Sequence, residues 1–446
     1  MPDVNHETTG YLYLAIEEVA REMQSRLLIA RAALEIGLSP IIGPQAWFGQ
    51  NLDRLPPGFL LLKGNNRVQE RMMRLAKRLG HATGSIEEEA FSVCEPREIL
   101  RLFATGVDEV CDLFFAQGPH HAECLKGAFP SAAEQIKITG NPRADLLADP
   151  DLRAITFSET SAHERTNPYL LINTNFGLIN PNIGDTLQCY GNCVSVGLLD
   201  PNDPSDIADI EEWFAWERRN FSSIITFIEA HRTQPDPLPI VLRPHPSERL
   251  VLWDALYAND PLVRVIREGS HLDWTAQAQV MVHTSCTTGL EAHLLGTPTL
   301  SLVTPGSRWD GFFIANQVNF TAADPWDAAV KAGELAKQPK LDRPTPKGTE
   351  LGSHLTLDAT QPSAEKIAAL VAIALVDQKL MTDVAVYAGQ TRRVGLNTRG
   401  QAKLADDTNE ISGFLSRLES ARQYSHPATL REISPLVRAL EFGDRS

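Results

Sequence analysis

Residues 280–302 read VMVHTSCTTGLEAHLLGTPTLSL. The apolar run Val280 to His283 ends in a loop of small residues, Thr284-Ser285-Cys286-Thr287-Thr288-Gly289, and a helical stretch, Leu290 to Leu295, follows it. Gly296-Thr297-Pro298 then turns the chain into a second apolar run, Thr299 to Leu302. Strand, loop, helix and strand in this order make one βαβ-type unit, with the loop at the carboxyl end of the first strand. Open α/β sheets bind their ligands at that edge.

The same alternation extends outward in both directions. Toward the N-terminus, apolar runs at Tyr11 to Ile16, Pro40 to Gly43, Phe59 to Leu62, Leu113 to Gln117 and Gln135 to Thr139 read as strands. Helix-period segments separate them at about Glu18 to Ile36, Asn66 to Leu79, Pro96 to Thr105 and His120 to Lys126. Gly140-Asn141-Pro142-Arg143 and the polar stretch from Asp149 to Asn167 predict a domain boundary near residue 150. A second half opens with strand Tyr169 to Asn173 and continues through a helix at Ile207 to His231 and strands at Pro239 to Leu242 and Val263 to Arg267. Between them, Gly177 to Asp206 is too long for an ordinary connection and reads as a lid or binding loop. Residues 335 to 362 are polar and Pro-rich, and helices are expected at Ala364 to Val376 and Asp407 to Arg422. Alternation of this kind implies an α/β protein with parallel sheets covered by helices, in two Rossmann-like halves.

Composition narrows the partners. The chain of 446 residues is 43% hydrophobic and 22% charged, as in an ordinary globular protein of two or three domains. Its formal charge of -15 opposes a duplex or bilayer surface, so nucleic acid is not expected as a partner. A phosphate ligand is still admissible, since it needs only a few local donors. Six scattered cysteines, with no Cys-x-x-Cys pair, fit a reduced compartment, and Cys189 and Cys193 lack the partners of a metal site. The polar start MPDVNHETTG lacks the basic and apolar regions of an export signal, and no run nears the roughly 18 residues needed to span a bilayer.

Several constellations carry chemistry. In Arg243-Pro244-His245-Pro246 two prolines clamp a turn at a strand end and fix the direction of the cation and the imidazole. Ser285, Thr287, Thr288 and Gly289 open a helix whose amino end favours an anion; a ligand-free helix cap is the plainer alternative. Glu291, in the first turn, serves either a ligand hydroxyl or the helix dipole. His283 reads as a core or supporting residue. Glu17 follows the first strand and is a candidate general base, whereas Arg21 and Glu22 read as solvated helix-start charge. Asn173 and Asn175 line the end of the strand that opens the second half, where an Asx turn is the alternative. Neither a G-x-G-x-x-G fingerprint nor a Walker A sequence is present.

Five blocks stand in a fixed order: Tyr13-Leu14-x-Ile16-Glu17 with Arg21-Glu22, Gly140-Asn141-Pro142-Arg143-x-Asp145, Leu171 to Gly177, Arg243 to Glu248, and His283-x-Ser285 through Ala292. Together they resemble the bacterial surface carbohydrate biosynthesis protein family, related to GT-B glycosyltransferases that include the Kdo transferases of capsule and lipopolysaccharide assembly. The 178–206 stretch and the C-terminal segment have no counterpart in that resemblance.

The resemblance implies a GT-B-like α/β fold, two Rossmann-like domains facing a central cleft with extra C-terminal helices. Residues 1–150 would form the acceptor domain, 151–335 the nucleotide-sugar donor domain, and 336–446 a linker and helical segment. The implied activity is transfer of a sugar, Kdo or another acidic one, from a nucleotide donor to a surface polysaccharide. The alternatives are a sugar-nucleotide epimerase or hydrolase of the same fold, or a non-catalytic assembly protein with a degenerate pocket. The donor nucleotide, CMP-linked in similar transferases, would lie against His245, Pro246, Ser285, Thr287, Thr288, Gly289 and Glu291. Glu17, His245 and Arg243 would be catalytic, and Asn173, Asn175 and Glu248 would line the cleft. The other partner would be a glycan or lipid-linked glycan, with no metal and no separate cofactor. The expected location is cytoplasmic, with at most peripheral contact at the inner face of the bacterial inner membrane.

Overall fold

The structure, a computed structural model, describes residues 9–157, 168–182, 184–338, 350–376, 390–396, 398–405, 408–422 and 424–443. It divides into two units. Unit 1 comprises residues 1–89, 102–156 and 353–446, and unit 2 comprises 90–101 and 157–352.

In unit 1, strands β1 (Gly10–Ile16), β2 (Leu38–Pro44), β3 (Phe59–Leu62), β4 (Ala82–Ile86), β5 (Leu113–Ala116) and β6 (Ile136–Ile138) pair in parallel in the order β2-β1-β3-β4-β5-β6. In unit 2, β7 (Leu170–Asn173), β8 (Ile240–Arg243), β9 (Val263–Val265), β10 (Val280–His283), β11 (Thr299–Leu302) and β12 (Phe320–Ala322) form a second parallel sheet in the order β12-β11-β10-β7-β8-β9. Central strands such as β1, β3, β7 and β10 are buried along their whole length, because helices cover both faces of each sheet. Double burial is why they read as continuous apolar runs rather than alternating ones.

The C-terminal segment departs from expectation. Residues 353–446 pack as part of unit 1 instead of standing apart from residue 336 onward. Helix Ser363–Leu375 sends Ala364, Ile367, Ala368, Val371 and Leu375, at helical spacing, into the core under β1 and β3. Its first amide donates to Asp145 at 2.7 Å. Gly140 makes room for this junction, with a φ of 84° and the Thr356 carbonyl 2.5 Å from where a Cβ would stand. The segment is also not helical throughout, since β13 (Ala428–Ser434) and β14 (Val437–Phe442) form a hairpin that adds antiparallel to β2. Helix Thr408–Ala421 matches the second expected helix, whose first residue, Asp407, lies outside the described residues.

Two further expectations change. The boundary falls at Thr156 rather than near residue 150, and much of the expected polar connector, 158–167, lies outside the described residues, as do 339–349 of the Pro-rich stretch. The 178–206 stretch is not a plain loop. It holds helix Thr186–Val196, after which Leu199 joins Ile210 and Phe214 in a small apolar cluster with Tyr190 and Val194 against it. No helix among the described residues is long and apolar enough to cross a membrane.

Candidate functional site

In each parallel sheet the chain order reverses once, and ligands of open α/β folds bind beyond the strand ends at that point. In unit 2 the reversal lies between β7 and β10, where Asn173 and His283 are register partners, with Arg243 on the other side of Asn173. Both polar atoms of the buried Asn173 side chain lack a hydrogen-bond partner among the described residues. A buried amide left so is costly, and its donor and acceptor suit a polar ligand.

The loop after β10 is held from beneath. His283 is fully buried, and burial lowers its pKa to about 3, so the imidazole is neutral. Its Nδ1 accepts the Cys286 amide at 3.3 Å, and its Nε2 lies 2.9 Å from the Ser301 hydroxyl. The ring stacks so closely under Gly289 that any Cβ there would collide with it. This confirms His283 as a supporting residue. Ser285 takes a left-handed φ of 53°, fixed because its hydroxyl donates to Asp310 at 2.8 Å and accepts from Asn316 at 2.7 Å. That hydroxyl is committed to the loop, contrary to its expected part in holding phosphate. Thr287 and Thr288 begin helix Thr287–Leu294, which receives no side-chain cap from Cys286. Thr287 Oγ1 pairs with the Ser92 hydroxyl at 2.9 Å, and Thr288 Oγ1 with Cys286 Sγ at 2.8 Å. Glu291 is buried and lies 2.9 Å from His271 Nε2.

The turn after β8 is built around Glu248. Its buried carboxylate accepts from the Thr174 hydroxyl (2.6 Å), the His245 amide (3.0 Å) and the Trp253 indole (2.9 Å). Burial raises its pKa, against the pull of these donors. Glu248 therefore organises the turn rather than lining an open surface. His245 projects into solvent. The Ser247 amide donates to its Nδ1, which puts the ring proton on Nε2, the geometry of a hydrogen-bond donor to an anion. Arg243 differs from expectation: its guanidinium donates to the carbonyls of Glu268 (2.7 Å) and Gly269 (2.9 Å) and faces the Trp274 ring. It braces the turn after β9, because Trp274 and those carbonyls surround it on the buried face of the sheet. Asn175 is half-buried, and Pro246 is exposed.

In unit 1 the reversal lies between β1 and β3, whose ends lead into Glu17 and Lys63. Lys63 Nζ sits 2.8 Å from Glu17 and 3.0 Å from Glu89, which follows β4. Gln45 and Gln69 donate to the other Glu17 oxygen at 2.9 and 3.2 Å, leaving this side chain fixed yet 30% exposed. Arg21 reaches Glu89 at 3.1 Å. Behind this mouth Glu22, fully buried, accepts the Glu17 amide, so it is not the solvated helix-start charge expected of it. Glu87 accepts from Asn65 (3.0 Å) and from the Glu89 amide (3.2 Å). Glu88 lies 3.6 Å from Arg26 and 3.9 Å from Arg143, and neither the Glu88 carboxylate nor the Arg26 guanidinium makes a hydrogen bond among the described residues.

These carboxyl groups titrate apart. Burial pushes Glu87 up to about 8. Burial also acts to raise Glu89, but Arg21 and Lys63 overcome it and hold that group down to about 2. Lys63 pays for burial too, yet Glu89 and Glu17 keep its pKa above the ordinary lysine value. At neutral pH two neighbouring carboxyls thus stand in opposite protonation states. Five acidic side chains and four basic ones gathered at one sheet edge are costly to bury, which is tolerated at functional sites. Lys63 and Glu87 to Glu89 went unnoticed in the sequence. The acidic triplet is visible there, but Ala82–Ile86, ATGSI, carries no apolar run, so the sequence does not place the triplet at a sheet edge.

No protein-family model matches this sequence, and no curated protein matches it. Solved structures do. An S. aureus MnaA–UDP co-structure matches at a TM-score of 0.53 and 12% identity, covering 84% of this chain and 99% of that one. A UDP-N-acetylglucosamine 2-epimerase matches at 0.50 and 13%, covering 84% and 100%. The Methanocaldococcus jannaschii UDP-GlcNAc 2-epimerase in complex with UDP-GlcNAc and UDP gives 0.49 and 13%, covering 81% and 99%. The fold is GT-B-like. At such identities the likeness concerns architecture, and the two Rossmann-like sheets are its content.

Proposed function

We propose that the chain is a nucleotide-sugar enzyme of the sugar-nucleotide epimerase kind: unit 2, taken by itself, offers a loop suited to a nucleotide's phosphate, and unit 1, taken by itself, offers a carboxyl pair suited to acid–base chemistry on a sugar. The observation that carries this reading is the company of the two carboxyls: Glu87 is buried against one amide side chain and one backbone N–H, which pushes it up to about 8, and Glu89 lies against Arg21 and Lys63, which hold it down to about 2. Inverting a C–H centre needs a base to remove the proton and an acid to supply one, and a carboxyl pair with separated pKa values meets both needs. In unit 2, the Nε2 proton of His245, the uncapped start of helix Thr287–Leu294 and the unpartnered Asn173 amide fit a phosphate-bearing ligand. UDP in the S. aureus MnaA co-structure and UDP-N-acetylglucosamine in the name of the 2-epimerase support a nucleotide sugar.

Glycosyl transfer to a surface polysaccharide is the second reading. Glu17 favours it, since a single carboxylate fixed by Lys63, Gln45 and Gln69 suits a base for an acceptor hydroxyl. Kdo or another acidic sugar, and a CMP-linked donor, belong to this second reading.

A thermal-shift panel of UDP, CMP, GDP and CDP names the nucleotide, because a ligand that binds only the folded state raises Tm. UDP stabilising the wild type and not His245→Ala is the expected result. Stabilisation by CMP alone favours transfer, and stabilisation by none favours a non-catalytic assembly protein.

A further inference from the structure

Beyond Glu89 the chain leaves unit 1. Residues 90–101 belong to unit 2 and are anchored there along their length. The Ile314 amide donates to the Ser92 carbonyl (3.0 Å) and the Cys94 amide to the Phe312 carbonyl (2.8 Å), with an antiparallel bridge between Val93 and Phe313. Arg101 donates to Asp209 at 2.8 Å. Ala90, Phe91 and Ser92 are buried. Ser92 Oγ lies 2.9 Å from Thr287 Oγ1, at the first residue of the helix that opens the anion-facing loop.

We propose that Ser92 is a positioning residue of the nucleotide site. This rests on the reading of the Ser285–Gly289 loop as a nucleotide site. A phosphate oxygen only accepts hydrogen bonds. Once Thr287 gives its one hydroxyl proton to the ligand, it must accept from Ser92, so the ambiguous hydroxyl pair becomes a one-way chain from Ser92 through Thr287 to the phosphate. The Ser92 backbone is locked by Ile314 at the same time. The first residue of the nucleotide loop's helix is thereby held by the strap on which Ser92 sits.

The test combines calorimetric binding of UDP, with CMP in a second series, and amide hydrogen exchange over residues 92–94 of the full chain. In the wild type, bound nucleotide is expected to slow exchange across 92–94. Ser92→Ala is expected to bind nucleotide roughly fivefold more weakly, from the loss of one hydrogen bond, and to lose the slowing. Ser92→Thr, which keeps the hydroxyl, restores both, a rescue that a purely packing role would not give. Nucleotide bound with unchanged exchange over 92–94 in the wild type overturns the chain from Ser92 to the ligand and leaves the nucleotide site standing. Unaltered affinity in Ser92→Ala overturns the role of Ser92, and binding of neither nucleotide overturns both proposals. If Ser92→Ala does not fold, the wild-type exchange and Ser92→Thr decide.

Discussion

Glu87 and Glu89 are two residues apart, and what separates their chemistry is the company each keeps. Glu87 faces an interior with one amide side chain and one backbone N–H, whereas Glu89 lies against two cations. The raised pKa of Glu87 carries a stability consequence. The unfolded chain releases this proton near pH 4.5 and the folded chain near pH 8, so the native state holds the extra proton between them and loses stability as pH rises through that window. Glu87→Gln, which keeps the shape without the titration, is expected to flatten that part of the profile, with a gain over wild type on the order of a few kcal/mol at pH 9. Urea unfolding at pH 5, 7 and 9 measures it; parallel profiles would contradict the buried-proton account. At this scale the sequence was legible where chemistry is local. His245 between two prolines and the hydroxyl run before Gly289 announced themselves. Arg243 did not, because its use depends on the carbonyls of residues 268 and 269 and on Trp274, which only the folded chain brings to it.

At the scale of elements, apolar runs found β1, β3, β7, β8, β10 and β11, since strands buried on both faces must be apolar throughout. β4 reads ATGSI and escaped notice. Its polar residues are paired inside the sheet: Thr83 donates to the Val110 carbonyl at 2.5 Å and Ser85 to Asn65 at 2.6 Å. Strands β13 and β14 escaped for a different reason, because their charges answer each other across the hairpin, as Arg431 and Glu441 do. The element that matters most for the site is the start of helix Thr287–Leu294, where Gly289 rests on His283. Gly289→Ala forces a Cβ against that buried ring. Overpacking of this kind costs about 1–3 kcal/mol, so Tm is expected to fall by roughly 3–10 °C. UDP is expected to stabilise the variant no longer, since the displaced loop loses its amide geometry. A variant with unchanged Tm and an unchanged UDP shift would mean that the close packing on His283 is not needed.

At the scale of the whole molecule the chain is interwoven. It lends 90–101 from unit 1 to unit 2 and returns at residue 353 to complete unit 1. Reading along the sequence yields boundaries near residues 150 and 335, and it misses both exchanges because each is decided by long-range contacts. The first exchange falls directly after the acidic triplet, with Glu89 the last residue of the first unit 1 segment and Ala90 the first of unit 2. Glu89 is thus the residue on which the account stands. The most direct measurement incubates the protein with UDP-N-acetylglucosamine alone in deuterium oxide and follows the sugar by proton NMR. The account predicts a second sugar epimer carrying deuterium at the inverted carbon in the wild type, and a loss of roughly 100-fold or more in that rate for Glu89→Gln, the scale of a missing general base. Unchanged donor in the wild type, with turnover only when a glycan acceptor is added, would contradict it.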